Sequence, residues 1–400
     1  MFTRKNSILQ QRHNVLVSVV LLFMLTAVFF TSCQTNHDTM GEVHHTEVIR
    51  PNIQEYGPYV YVDGRTIMRY NRGTNLLSSA CVDSECEGAC PIEAAISSVN
   101  QVVDGRMFFC AFEAYTHVVR YGYQDVVSGD IRILATLSEA EDSMNSGCYV
   151  WDGWMYYSKR ILREGGDPDL LSDYIPHVCR VSVEKGNEES VMPTDESLMM
   201  VADGYIITQK DGILYAYNAV TLEKKTLYNL EENGFSTLAT TLSYAKGRIY
   251  FLCRSHSICT SEYSKREFLY PFLISIDLET GEAFRVVENP VITFAVTDDA
   301  IYYAPFELRH MYIPENYIDV PEEVVVFLAD DTLYACDLDG SRNREVYTND
   351  GLDFVECFTV IDGVLYGWLY DFDDESHRFT TGYFGSIDFQ TGKVTRAEKE

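Results

Sequence analysis

The sequence predicts an all-β protein: a seven-bladed β-propeller of four-stranded antiparallel sheets, with six or eight blades as the neighbouring counts. Three observations carry this. First, an Asp-Gly-like pair followed by alternating aromatic and aliphatic residues returns seven times. The copies start at Val62 (VDGRTIM), Val103 (VDGRMFF), Trp151 (WDGWMYY), Ala202 (ADGYIIT), Ala245 (AKGRIYF), Thr297 (TDDAIYY) and Ile361 (IDGVLYG). Second, a strand–turn–strand signature closes most copies, clearest at Leu273–Val287, Leu333–Tyr347 and Phe384–Ala397. Third, no amphipathic helical periodicity longer than a few turns follows residue 50.

Each copy begins as a hairpin, because Asp-Gly accepts the positive φ of a tight turn and the run after it alternates like a half-buried strand. The closing signature adds a second hairpin, so one unit supplies four strands, A to D. The anchors Asp63, Asp104, Asp152, Asp203, Lys246, Asp298 and Asp362 are spaced by 41, 48, 51, 43, 52 and 64 residues. Uneven spacing fits a fixed blade with loop insertions, and closing the ring removes the exposed ends of an open array.

The N-terminus sets the expected location. Arg4, Lys5 and Arg12 precede Val15–Phe30, a 16-residue, largely apolar stretch without a charge. That is a secretory h-region, short of the roughly 20 residues of a membrane span. It ends in Thr31-Ser32-Cys33, which resembles the lipobox of bacterial lipoproteins, with Phe30 where that pattern prefers Leu. Lipidation at Cys33 is the expectation; ordinary signal cleavage and an uncleaved anchor are the alternatives. Residues 1–32 are thus read as a lipoprotein-type signal peptide, 33–55 as a flexible tether and 56–400 as the propeller. The protein is expected on the outer face of the bacterial cytoplasmic membrane, or on an envelope membrane.

The chain carries 31 Lys plus Arg against 60 Asp plus Glu, a formal net charge of −29. Such a surface repels nucleic acid and anionic lipid head groups, so membrane contact is expected through the anchor only. Of eleven Cys, Cys110, Cys179, Cys253 and Cys336 sit inside strand patterns and read as small core residues. Cys81, Cys86 and Cys90 cluster in a polar segment, where a disulfide between two of them is expected over a metal lacking a fourth ligand. Cys253-x2-His256-x2-Cys259 has ligand-like composition, but Cys253 lies on a strand pattern. The acidic run Asp371–Glu375 lacks the glycine that bends an EF-type calcium loop.

The segment Ile67–Pro91 (IMRYNRGTNLLSSACVDSECEGACP), followed by the repeats, resembles a family of uncharacterised bacterial propeller lipoproteins classed as a domain of unknown function. The resemblance spans roughly residues 56 to 398. It departs at Glu87-Gly88-Ala89, where that family often has a His between the second and third Cys. It implies a fold and a surface location, and no catalytic residues. Asp337–Ser341 is similar to the D-x-D-G-S turn of TolB-type propellers. Asp277–Gly281 and Asp388–Gly392 are similar to blades of quinoprotein dehydrogenases. The docking Trp of the latter is missing, so no cofactor is expected.

Catalytic motifs are absent: no G-x-S-x-G, H-E-x-x-H, Walker loop or G-x-G-x-x-G occurs. The expected functional clue is the rim carrying the B–C and D–A connections, where Arg160–His177, Arg254–Pro271, Phe306–Glu322 and Asp371–Thr381 read as long loops. These contain the candidate ligand-binding residues Arg254, His256, Tyr263, Arg266, Arg309, His310, Tyr312 and His377. Flat rings suit sugar faces and peptides, and Arg and His suit carboxylate or phosphate. The expected function is a non-catalytic, monomeric binding or scaffold module for an extracellular protein, peptide or glycan. A propeller glycan lyase or hydrolase and a TolB-like envelope-assembly scaffold are the alternatives.

Overall fold

Seven sheets of four antiparallel strands follow one another along the chain. The computed structural model describes residues 48–399, apart from 50–51, 64–65, 82–89, 95, 114–115, 139, 142–146, 239–241, 262–263, 313–322, 330–331, 349–353, 371, 374–377 and 380–381. At 48, 93–94, 96, 257–261, 264–268, 307–312, 323–329, 354–357, 372–373 and 378–379 it describes the backbone alone. The signal segment, Cys33, Cys86, Tyr263 and His377 lie outside the described residues.

In order A to D, blade I is Ile53–Tyr56, Tyr59–Asp63, Ile67–Asn71 and Leu76–Ser79; blade II is Ile96–Val103, Arg106–Glu113, Val118–Asp125 and Ile131–Leu137. Blade III is Tyr149–Trp151, Trp154–Leu162, Tyr174–Ser182 and Glu188–Pro193; blade IV is Ser197–Ala202, Tyr205–Lys210, Ile213–Asn218 and Lys224–Asn229. Blade V is Ser243–Ala245, Arg248–Ser261, Ser264–Asp277 and Ala283–Arg285; blade VI is Val291–Val296, Ala300–Tyr312, Thr332–Asp337 and Arg344–Thr348. Blade VII is Phe354–Ile361, Val364–Tyr370, Tyr383–Asp388 and Val394–Arg396. Strand A of blade VII lies beside strand A of blade I, which closes the ring.

The core is divided among the interfaces between blades, and strand pleating explains how. Successive side chains of a strand point to opposite faces, and both faces of each blade meet a neighbour. Met107 and Phe109 therefore pack between blades I and II, and Phe108 between II and III. Likewise Met155 and Tyr157 face blade II while Tyr156 faces blade IV. Ile249, Phe251 and Cys253 pack toward blade IV, and Tyr250 and Leu252 toward blade VI. This double burial is why the repeats read as unbroken apolar runs.

Two turn chemistries shape the opposite rim. Five A–B turns place both central residues at positive φ, as at Asp104-Gly105 (50° and 73°) and Lys246-Gly247 (46° and 78°). That geometry matches the right-handed twist of the paired strands. The C–D turns of blades II, V and VII are Asx turns: Asp125 Oδ1 accepts from Val127 and Ser128 N–H, Asp277 Oδ1 from Glu279 and Thr280, and Asp388 Oδ1 from Gln390 and Thr391. Backbone donation from Ser128, Thr280 and Thr391 holds these carboxyls below the usual range.

Three sequence expectations need correction. The Asp-Gly pair at Asp63 does not join strand A to B: in blade I that turn is Gly57-Pro58, and Asp63 ends strand B. The tether boundary at 55 is also late. Ile53–Tyr56 is already strand A of blade I, and Val48–Ile49 pairs antiparallel with Ala245 and Tyr244 on strand A of blade V. Ile49 is 4% exposed, buried in the core between blades IV and V. Finally, Arg254–Pro271, expected as a loop, is paired strand over nearly all its described residues, and the other three expected loops hold strand in part, as described below.

Because each interface buries its own piece of core and the closed ring couples them, Phe108→Ala and Phe109→Ala should destabilise by similar amounts, about 3–5 kcal/mol each. Urea unfolding should remain one transition in both variants. A second transition, or a shift in only one of the two, would count against shared burial across blades.

Candidate functional site

The two rims differ in build. On the tight-turn rim, strands are joined by the short turns just described. On the other, hereafter the ribbon rim, several B–C connections continue as paired strands. In blade V, strands B and C remain paired up to Ser261 and Ser264. In blade VI, Phe306–Tyr312 leaves strand C and pairs instead with an added strand, Glu323–Ala329. Blade VII adds the small pair Phe372–Asp373 with Arg378–Phe379, and blade III extends its hairpin to Leu162 opposite Tyr174. Blade IV turns back at once through Asp211-Gly212. Alternating Val, Phe, Tyr and Ile in these segments favours ladder pairing over irregular loop, which residue counting along the chain does not reveal.

The blade V and VI ribbons are neighbours. The added strand of blade VI lies against strand C of blade V. Tyr270 and Phe306 meet edge to face at 5.6 Å. Tyr270 is therefore half-buried packing at the ribbon base. Strand B of blade V is held on its other edge by Phe235–Leu238, with a bulge beside Arg254 and another register shift between Arg254 and Ile258. His256 N–H donates to Gly234 O at 3.3 Å, and Ser236 Oγ to Arg254 O at 3.2 Å.

Arg254 and His256 are both exposed and flank Ser255, which is 6% exposed, so the two side chains share the solvent face of this strand. Arg266 lies in strand C of the same ribbon. On the neighbouring ribbon Arg309, His310 and Tyr312 stand opposite Val326, Val325 and Glu323. Six of the eight candidate residues thus fall on two adjacent ribbons; Tyr263 and His377 lie outside the described residues.

Cys253 is fully buried between blades IV and V, with its thiol pushed up by burial, whereas His256 is exposed. They do not converge on a metal. Among the described residues no group of three His, Cys, Asp or Glu is placed to hold a metal ion. Cys81 and Cys90 are half-buried against the core between blades I and II, at either end of the segment holding Cys86.

Two carboxylates have roles that the repeat pattern does not assign to them. Glu196 is buried at 9% exposure and accepts from Thr208 Oγ1, Tyr217 OH at 3.0 Å and Lys224 Nζ at 2.5 Å. So saturated, it pegs the connection between blades III and IV. Asp63 joins three blades: its Oδ1 accepts from Val99 N–H of blade II at 2.6 Å, and its carbonyl from Trp368 Nε1 of blade VII at 3.1 Å. Burial pushes the Asp63 carboxyl up to about 7, outweighing the Val99 and Ser98 hydrogen bonds that favour the anion. The signal for its displaced position was present in Gly57-Pro58, an earlier turn between two alternating runs.

No protein-family model matches this chain, and no curated protein does. Solved structures do. An acylaminoacyl peptidase in complex with Z-Gly-Gly-Phe-chloromethyl ketone aligns at TM-score 0.50 and 11% identity, covering 88% of this chain and 53% of that one. The chain therefore spans about half of that peptidase. The β-propeller domain of the Trilobed protease from Pyrococcus furiosus aligns at 0.46 and 10%, covering 89% and 96%. TolB from Acinetobacter baumannii aligns at 0.35 and 11%, covering 88% and 82%. The chain is a β-propeller. Identities this low show the fold and no activity.

Asp63 supplies a pH test. Its folded-state pKa lies above the ordinary 3.8, so the native state holds the extra proton between those values. Its contribution to stability is present below about pH 4 and lost as pH rises through about 7. Relative to Asp63→Asn, the native protein should lose on the order of 2 kcal/mol between pH 4 and 8, allowing for partial exposure. Parallel stability curves for the two proteins would show that the carboxyl is not desolvated.

Proposed function

We propose that this chain is a non-catalytic, surface-anchored recognition module, binding an extracellular protein, peptide or glycan with the ribbon rim of blades V to VII. The observation that carries this reading is the asymmetry of the rims. One rim is reduced to tight turns, while the other carries paired ribbons with Arg254 and His256 exposed side by side. Extensions built as ladders on a rigid scaffold hold side chains in place at little entropic cost on binding. A basic pair on a chain of net charge −29 also makes a local contrast that favours a ligand bearing carboxylate or phosphate.

Probing glycan and peptide arrays with the protein tests this directly. Arg254→Ala with His256→Ala, and Arg309→Ala with Tyr312→Ala, should each weaken binding by about 2 kcal/mol and leave thermal stability nearly unchanged. Asp104→Ala and Asp203→Ala on the opposite rim should do the reverse. Each puts a β-carbon-bearing residue less tolerant than Asp at φ near 50°, costing about 1 kcal/mol of stability while sparing binding. The opposite pattern would move the binding face to the tight-turn rim. Glycan turnover that disappears with His256 while the fold persists would favour an enzyme.

Anchoring is proposed through lipidated Cys33, since stable attachment needs more than one acyl chain and bacterial lipoproteins carry several. Cys33→Ser should shift the protein to the soluble fraction or leave an uncleaved precursor. Unchanged membrane retention together with a cleaved N-terminus would remove the anchor from this reading.

A further inference from the structure

The blade III hairpin ends in a feature that the recognition reading does not use. Between Leu162 and Tyr174, the last ladder pair, the chain folds back on itself. Arg163 N–H donates to Asp173 O at 2.8 Å, Leu170 N–H to Asp167 O at 3.0 Å, and Asp167 N–H to the Asp173 carboxylate at 2.8 Å. Tyr174 OH donates to Pro168 O at 3.3 Å. Gly166 sits so tightly that a β-carbon there would lie 3.1 Å from Arg163 O and 3.1 Å from the end of Leu162. The tip is thus held by hydrogen bonds within its own stretch.

This self-contained tip displays leucines to solvent. Leu170 is 51% exposed, Leu171 57% and Leu162 37%, whereas the leucines of the blade interfaces are almost fully buried. A single exposed leucine needs no explanation; three on one hairpin tip, two of them consecutive, make that tip an apolar knob. Its border is acidic. Glu164, Asp167, Asp169 and Asp173 lie within the same stretch against one base, Arg163. Such a knob repels anionic lipid and a second copy of this acidic chain, and complements an apolar surface flanked by positive charge.

We propose that the Leu162–Leu170–Leu171 tip of blade III is a docking knob for a polypeptide segment that carries apolar side chains among lysines and arginines. This deepens the recognition reading, on which it rests for the role of the ribbon rim, but it uses blade III alone. The leucines supply the desolvated centre of the contact, and the acidic border sets the partner's charge and speeds encounter. Because the tip is ordered beforehand, little conformational entropy is lost on docking.

The test uses a displayed library of short random peptides against the immobilised full chain. Enriched peptides should combine Leu, Ile or Phe with Lys or Arg, and should bind more weakly as salt is raised. Leu170→Ser with Leu171→Ser should reduce that binding at least about tenfold, while the thermal midpoint stays in place. Glu164→Gln with Asp169→Asn should keep part of the affinity and flatten its salt dependence. The proposal is overturned by no enrichment, by peptides without basic residues, or by recruitment of lipid vesicles through the leucines. It is also overturned if binding survives the leucine pair and is lost with Arg254→Ala and His256→Ala, an outcome that leaves the recognition rim standing.

Discussion

Everything in this molecule depends on blades burying both faces against their neighbours in a ring that has to close. The closing interface lies between blades VII and I, each of which takes its four antiparallel strands from one continuous stretch of chain. What holds them is aromatic packing. Tyr70 of blade I meets Tyr366 and Phe384 of blade VII at 5.8 and 5.2 Å, and within blade VII Trp368 backs Phe384 edge to face at 5.7 Å. Large rings suit this task because each buries much area and gains from edge contacts. Glu398 and Lys399 add a short parallel strand beside Leu76 and Leu77, so the C-terminus latches onto the outside of blade I.

That closure gives Asp63 its unusual setting. The Trp368 indole donates to its carbonyl from one side, and blade II donates to its carboxylate from the other. A residue that the repeat pattern assigns to a surface turn therefore sits where three blades meet. The same ring leaves the inner edge of blade V available, and Val48–Ile49 pairs with it. An unpaired inner edge would leave backbone donors and acceptors to water in a confined channel, so covering it is favourable.

Much of the fold was legible because the repeat obeys local rules. Asp-Gly at positive φ, an Asx residue opening the C–D turn, and doubly buried MFF or MYY runs each have a cause within a few residues. The first copy misled because VDGRTIM satisfies the turn rule while sitting one strand later in its blade. Local chemistry permits a turn there without saying which two strands it joins. The candidate site was legible only as residue types. Arg254 and His256 are identifiable by type, but the ladder partners that make their segment a strand, such as Arg254 with Pro271, lie too far apart in sequence to be paired by inspection.

From the sequence alone came the all-β class, the blade repeat, the strongly acidic surface and the rim on which insertions accumulate, because periodicity, charge and turn chemistry are properties of neighbouring residues. Only the tertiary structure decided that the insertions are ribbons, that Tyr270 is spent on Phe306, and that Leu170 and Leu171 remain exposed. It also decided that Asp63 is desolvated between three blades. Burial depends on which residues meet across the ring, such as position 63 with 368, and no local rule encodes contacts made between chain ends.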